Sequence, residues 1–338
     1  MTHDTAPATK RSTKPKPPAL VRWAGLTAGL AIVLVALLML FIMPSLKSGP
    51  RDLSIGIVGE AAIIHHVETV LASQAPGAYE IQPVESAGEL SAAIEDRELQ
   101  GGFDLSGPTL QIYVASAGST AVSGTITATG TGIAKSLQLD AELTDVVSLP
   151  ASDPTGVGIG GLAFPLVFGG IVPVVAYRSL LAGRRGWILG GLIGFSLIGG
   201  TVVAAVLQFV FGSIEHSFWP VAGAVALGIA ALALPLAGLN EFFGSKGFTI
   251  GAMAMMFLGN PFAGIATGAT WLPPGVAVMG QVLPPGAAGT LVRSVAYFGG
   301  VGGEVAALTL GVWLLVGLTL WFLAPRMSHA AQHSRAVS

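Results

Sequence analysis

Six stretches of this chain are each long enough, and poor enough in charge, to cross the hydrocarbon core of a bilayer. A spanning helix needs about 20 apolar residues. Residues 20–43 supply the first such run, and 156–177, 187–211, 218–239, 248–267 and 303–324 supply five more. Only 10% of the residues are charged, against about 25% in a soluble domain. Most of the apolar surplus must therefore face lipid, which excludes a water-covered globule. The 47 glycines are about twice the usual share; with no Gly-X-Y period, they fit close packing between membrane helices.

The distribution of Lys and Arg sets the direction of travel. Lys10, Arg11, Lys14, Lys16 and Arg22 precede or open the first span, so the leading end is expected in the cytoplasm. Loops then alternate: Arg178, Arg184, Arg185 and Lys246 fall inside, Arg326 flanks a cytoplasmic C-terminal tail (326–338), and Arg293 alone lies outside after residue 155. Trp23, Trp187, Trp219, Trp271 and Trp321 stand near span ends, where amphipathic rings favour the interface. The first span reads as a retained anchor: its apolar run exceeds that of a signal peptide, and no A-x-A site precedes Pro44. Residues 1–19, with Pro7, Pro15, Pro17 and Pro18 among polar residues, are expected to be a disordered basic tail beside membrane lipid.

Residues 44–155 have ordinary polarity and room for an extracytoplasmic domain. The spacing predicts strands at 52–60, 79–84, 102–105 and 109–115, with helices at 61–75 and 87–99. That order implies a small α/β sandwich with some parallel pairing. The Ser/Thr/Gly/Ala-rich stretch 118–135 carries Val122, Ile126, Ile133 and Leu137 on one helical face. It reads as a weak amphipathic helix or an extended stalk returning to the membrane. The expected fold is thus an α-helical integral membrane protein of six transmembrane helices, with this domain inserted between the first two and a five-helix membrane domain at 156–325.

Chemistry-bearing patterns are few. No cysteine is present, which excludes disulfides, thiolate catalysis and Cys-based metal centres. His65 and His66 are adjacent, so on a helix they diverge by about 100° and cannot readily share a metal ion. The run Glu95, Asp96 and Glu98 reads as a solvated face. No Ser/His/Asp constellation assembles, so neither an enzyme nor a cofactor site is expected, and the net charge of −2 argues against nucleic acid as a partner. Later spans hold almost no ionisable residue, which lowers the weight of a proton-driven pump. Small-residue pairs at Gly190/Gly194, Ser196/Gly200, Gly247/Gly251 and Gly264/Gly268 are candidate helix contacts.

Residues 258–300 are the most informative. Pro273-Pro274-Gly275 and Pro284-Pro285-Gly286 bracket one short apolar piece, and a second, containing Arg293, follows. Pro-Pro forbids a continuous helix, and the pieces are too short to span. A re-entrant element near 270–300 is expected, with Asn260-Pro261 breaking the fifth span just before it.

An anchor span, an outside α/β domain, five further spans and a Pro-rich, Arg-containing element before the last one resemble the type-2 ABC exporter permeases. Within them the chain is most similar to the phage infection protein branch. The stretches LGNPFAGIATG and LPPGAAGTLVRSVAYF carry that resemblance. It implies a homodimeric permease in the cell membrane that moves a substrate outward with energy from a separate cytoplasmic ATPase. This chain lacks the G-x-x-x-x-G-K-[ST] phosphate loop, of which Gly244-Ser245-Lys246 is only a fragment. Arg178, Arg184 and Arg185 become the candidate ATPase-facing loop; Asn260, Pro261, Pro273, Pro274, Pro284, Pro285 and Arg293 form the candidate re-entrant element. The loop at 178–186 is short for the family's coupling helix. The alternative is a non-transporting membrane receptor or envelope scaffold acting through its outside domain.

Overall fold

The computed structural model describes residues 18–324. The tails expected at 1–19 and 326–338 lie outside the described residues, save for Pro18 and Ala19. Among the described residues, five helices are long and apolar enough to cross a membrane, or six if one sharply bent pair counts as a span. The chain is thus a mostly helical, multi-pass membrane protein that also carries a five-stranded sheet. The segment to Met43 forms one unit and the chain from Pro44 another. Helix α1 (Ala19–Leu46) has no acidic residue in its first turn and no basic residue in its last, and is exposed along most of its length, as suits a helix solvated by lipid.

In chain order the sheet follows α1 and precedes the remaining long helices. Its strands are β1 (Leu53–Val58), β2 (Tyr79–Pro83), β3 (Gly101–Asp104), β4 (Thr109–Val114) and β5 (Asp140–Asp145), in the order β2-β1-β3-β4-β5. β1 runs parallel to β2 and β3, β3 antiparallel to β4, and β4 parallel to β5. Alternation along β1 puts Leu53, Ile55 and Ile57 on one face. There they join Val67 and Leu71 of α2 (Ala61–Gln74) and Val122, Ile126 and Ile133 of α4 (Thr120–Leu137). Gly56 and Val58 face the other way, toward Leu90, Ile94 and Leu99 at α3 (Ala87–Glu95). This one partly parallel sheet is covered by helices on both faces, which explains why β1 reads as a nearly unbroken apolar run.

Residues 118–135 correct the stalk alternative. Ser119 accepts from the Val122 amide at 3.2 Å and caps α4. Gly130 lets the helix lie flat on the sheet: a Cβ there would meet Ile112 and Phe103 at 2.7 Å. Strand β5 has no expected counterpart. Its sequence DAELTD alternates only briefly, with Ala141 and Leu143 between polar residues, and at the sheet edge it is almost wholly exposed.

The membrane half is built around α8 (Phe218–Ala254), which continues as a π-turn to Gly259. Around it stand α6 (Ala163–Leu180), led in by the single turn α5 (Val157–Gly160), α7 (Arg185–Ala205) with its own π-turn to Val210, and α11 (Glu304–Leu323). α8 breaks at Gly244, with φ 71 and ψ −162, a conformation open to glycine. The arm beyond the break folds back on the first: Gly251 lies against Leu236 and Leu239. The expected fifth span at 248–267 is therefore this second arm. It is helical only to Gly259, because the next residues are Asn260 and Pro261, as the sequence signals.

Helices α9 (Pro274–Val282) and α10 (Pro284–Tyr297) meet at 88°. Each begins with a proline in its first turn, where a missing N–H costs nothing. α9 leaves Val278, Met279 and Val282 exposed. α10, in contrast, is buried from Pro284 to Ser294.

The close seating of α4 is testable. Gly130→Leu is expected to destabilise the sheet region by about 1–3 kcal/mol, read as faster amide exchange across β4 and β5; unchanged exchange would refute this packing.

Candidate functional site at the junction of sheet and bundle

The sheet is latched to the bundle at several points, and the most elaborate begins where α3 stops. Ser86 caps its start, accepting from the Glu89 amide at 3.2 Å. After Asp96 the chain turns through Arg97, whose φ of 58 lies in the left-handed region usually taken by glycine at a helix end. The Arg97 amide donates to Ile94 O at 3.1 Å and Glu98 N to Ala93 O at 2.9 Å, closing the turn. A non-glycine residue there stores on the order of 1 kcal/mol of strain. The turn sends the guanidinium off the sheet onto the α10–α11 connection, 4.8 Å above the Phe298 ring, with Nη1 donating to Val301 O at 3.3 Å. Gly302 (φ 71) leaves space for it, since a Cβ there would meet the guanidinium at about 3.2 Å. Burial pushes Arg97 below the usual arginine range, an effect partly offset by the charge of Glu304.

Three further contacts hold the junction. The Ser119 hydroxyl donates to Thr267 O, Gly49 N donates to Trp271 O at 3.1 Å, and Trp271 packs on the sheet core. Ser152 Oγ donates to Gly212 O at 2.6 Å. Beside it Asp153 accepts from the amides of Val157 and Gly158, both at 2.8 Å, and fixes the start of α5.

Between these latches lies a cavity of about 310 Å³ with Arg97 on one wall and Arg293 of α10 on another. Gln281, Thr290, Thr270 and Thr309 complete its polar lining. Arg293 is buried and donates from Nη2 to Ile265 O at 2.6 Å. Thr290 donates to Gln281 Oε1 at 2.7 Å, and Gln281 Nε2 to Ala263 O at 3.3 Å, so these two residues pin α9 and α10 to the irregular segment after Gly259.

The expected site residues separate into two groups at opposite ends of the bundle. Asn260 and Pro261 end the π-turn; Pro273 and Pro274 start α9; Pro284 and Pro285 start α10 and are buried, Pro285 against Gly259. Arg293 alone of this set reaches the cavity. At the far ends of α6, α8 and α11, Arg178 and Arg185 both pair with Glu241, the latter at 3.2 Å. Arg185 also donates to Trp321 O and lies over its ring at 5.2 Å. Arg184 is exposed, and the α6–α7 connection is only residues 181–184.

Sequence reasoning passed over Arg97, Ser119, Asp153 and Glu241. Ser119 ahead of a weak helix was a readable capping signal; Arg97 sits in a charged run that resembled a solvated face. Of the small-residue pairs, Ser196/Gly200 and Gly247/Gly251 do pack on α8 and its folded-back arm, whereas Gly190 and Gly194 meet open space. Gly264 and Gly268 lie in irregular chain at positive φ. His65 is largely exposed, with Glu68 at 3.6 Å, and among the described residues no cluster of three or more His, Asp or Glu is placed to hold a metal ion.

Comparison with known proteins gave no match: no family model, curated protein or solved structure corresponds to this chain.

Glu241→Gln should lower stability by about 1–2 kcal/mol, between the surface and buried ion-pair ranges, and a double-mutant cycle with Arg178→Gln should show coupling; strict additivity would count against the pairing. Ser119→Ala removes a cap and a latch together, so amide exchange at 265–272 and at the start of α4 should quicken jointly.

Proposed function

We propose that the chain is the permease subunit of an exporter, working as a homodimer with a separate cytoplasmic ATPase and moving its substrate outward. One observation carries this reading: α10 is a broken-off half-helix enclosed in the bundle, ending at a polar cavity. Interrupted backbone at membrane depth is tolerated only where protein or a water-filled cavity surrounds it, and transporters build their sites at such interruptions. In this reading the α9–α10 pair enters from outside, the sheet caps it beyond the outer leaflet, and the Gly244 turn with Lys246 and the α6–α7 turn with Arg184 face the ATPase. Both ends of the chain then lie in the cytoplasm. The resemblance to type-2 exporter permeases supports the same assignment.

A second reading is favoured by one specific feature. The α6–α7 connection has no room for a coupling helix, and two of its three flanking arginines are held by Glu241. In that case the sheet is the working part, and the chain is a receptor or envelope scaffold.

Gentle purification from the native membrane distinguishes them. A permease should bring down a P-loop ATPase, and Arg184→Glu with Lys246→Glu should weaken that association at least about tenfold. Purification without any ATPase would overturn the transport reading. Because the chain has no cysteine, the orientation can be read directly. Ser91→Cys should react with an impermeant maleimide in intact cells, and Ser245→Cys only after lysis; the reverse pattern would invert the topology.

A further inference from the structure

We propose that the cavity between Arg97 and Arg293 is a binding site for a phosphate-type oxyanion, carried either by a lipid headgroup or by a free phosphate. The inference stands on the cavity and not on transport. Two guanidinium groups, one from the sheet and one from the bundle, line the same space, and their charges repel each other. Among the described residues no carboxylate is within ion-pairing distance of either. Glu304 reaches Arg97 only at longer range and is exposed at the start of α11. Arg293 is buried and Arg97 half-buried; cations held away from water without a counter-charge are costly, so the arrangement suits an anion from outside the chain.

The donor chemistry specifies which anion. A guanidinium is a planar fork of five N–H donors. The protein engages one donor of Arg97, at Val301 O, and one of Arg293, at Ile265 O. The remaining donors suit a tetrahedral oxyanion, which has oxygens enough for two forks, better than a single carboxylate. The Thr270 hydroxyl lines the same space, whereas the hydroxyls of Thr290 and Thr309 donate to Gln281 Oε1 and Val305 O. Its 310 Å³ is room for about ten waters at about 30 Å³ each, enough for a phosphate with a substituent.

One further feature points the same way. Arginine occupies a backbone position where glycine would be unstrained, a sign that its side chain is retained for what it does.

The test uses the full chain in nanodiscs of phosphatidylcholine. Inorganic phosphate is added to one set, and phosphatidylglycerol replaces part of the lipid in another. Thermal midpoint and amide exchange at 265–270 and 298–303 are followed in both. A raised midpoint with slowed exchange is expected with at least one anion: with phosphate if the source is soluble, with phosphatidylglycerol alone if it is a headgroup. Arg97→Gly, which suits the left-handed backbone and so preserves the fold, should weaken the effect at least about tenfold. Arg293→Lys, which keeps the charge but loses the fork, should weaken it as well, while Lys135→Gln on the exposed side of α4 should not. The proposal is overturned if neither anion produces the shift, or if both arginine variants respond like the wild type. Failure to recover an ATPase would remove the transport reading and leave this result unaffected.

Discussion

Close backbone approach around α8 is the contact on which the rest of the molecule depends. From Val221 to Gly238 this helix is buried almost without interruption, although in lipid no hydrophobic drive brings apolar helices together. Dispersion acts over short range, so the neighbours must come very near, and small residues allow it. Gly200 of α7 lies on the Ala222–Ala226 turn, Gly170 of α6 on Leu232, and Gly317 of α11 on the backbone at Pro235. A side chain at any of these glycines would push a whole helix outward. The abundance of glycine is therefore an energetic feature of the bundle rather than a mark of flexibility.

A tightly enclosed α8 also creates the shelter that α10 needs. Gly228 of α8 faces Ala288 of α10, and Gly289 of α10 faces Ile265, so a short, proline-started helix is surrounded by protein before its exposed backbone ends can meet lipid. Charge follows the same logic. Arg293, though buried, donates to a carbonyl left free by irregular chain at Ile265. At the other end of the bundle, Glu241 pairs with both Arg178 and Arg185 and offsets part of their charge, while Arg185 also donates to Trp321 O. The sheet then seals the remaining side: Phe298 from the α10–α11 connection completes the core beneath α3.

Much of this was legible in the sequence, and the reasons are local. Apolar length located the spans, because lipid solvation acts on each helix separately. Pro-Pro-Gly pairs marked the starts of α9 and α10, and Asn260-Pro261 the end of the α8 arm, because a missing N–H acts on its own turn. Strands β1 to β4 showed themselves by short apolar runs between turn residues. Strand β5 did not, since an edge strand owes its conformation to its neighbour's hydrogen bonds, which its own residues do not encode. The break at Gly244 was hidden too: in so glycine-rich a chain, nothing singles out one glycine as the point where a helix reverses.

By itself, then, the amino-acid order determined that this chain lives in a membrane, where most of its apolar helices lie, and that a mixed α/β segment interrupts them. Those properties follow from solvation and backbone chemistry within a turn or a span. Only the folded structure decided which polar groups meet: Arg97 with Phe298 and Val301, Ser119 with Thr267, Glu241 with two arginines, and two guanidinium groups across one cavity. Such pairings join residues as much as two hundred positions apart, and their partners are selected by how glycine-lined helices stack, which no local pattern records.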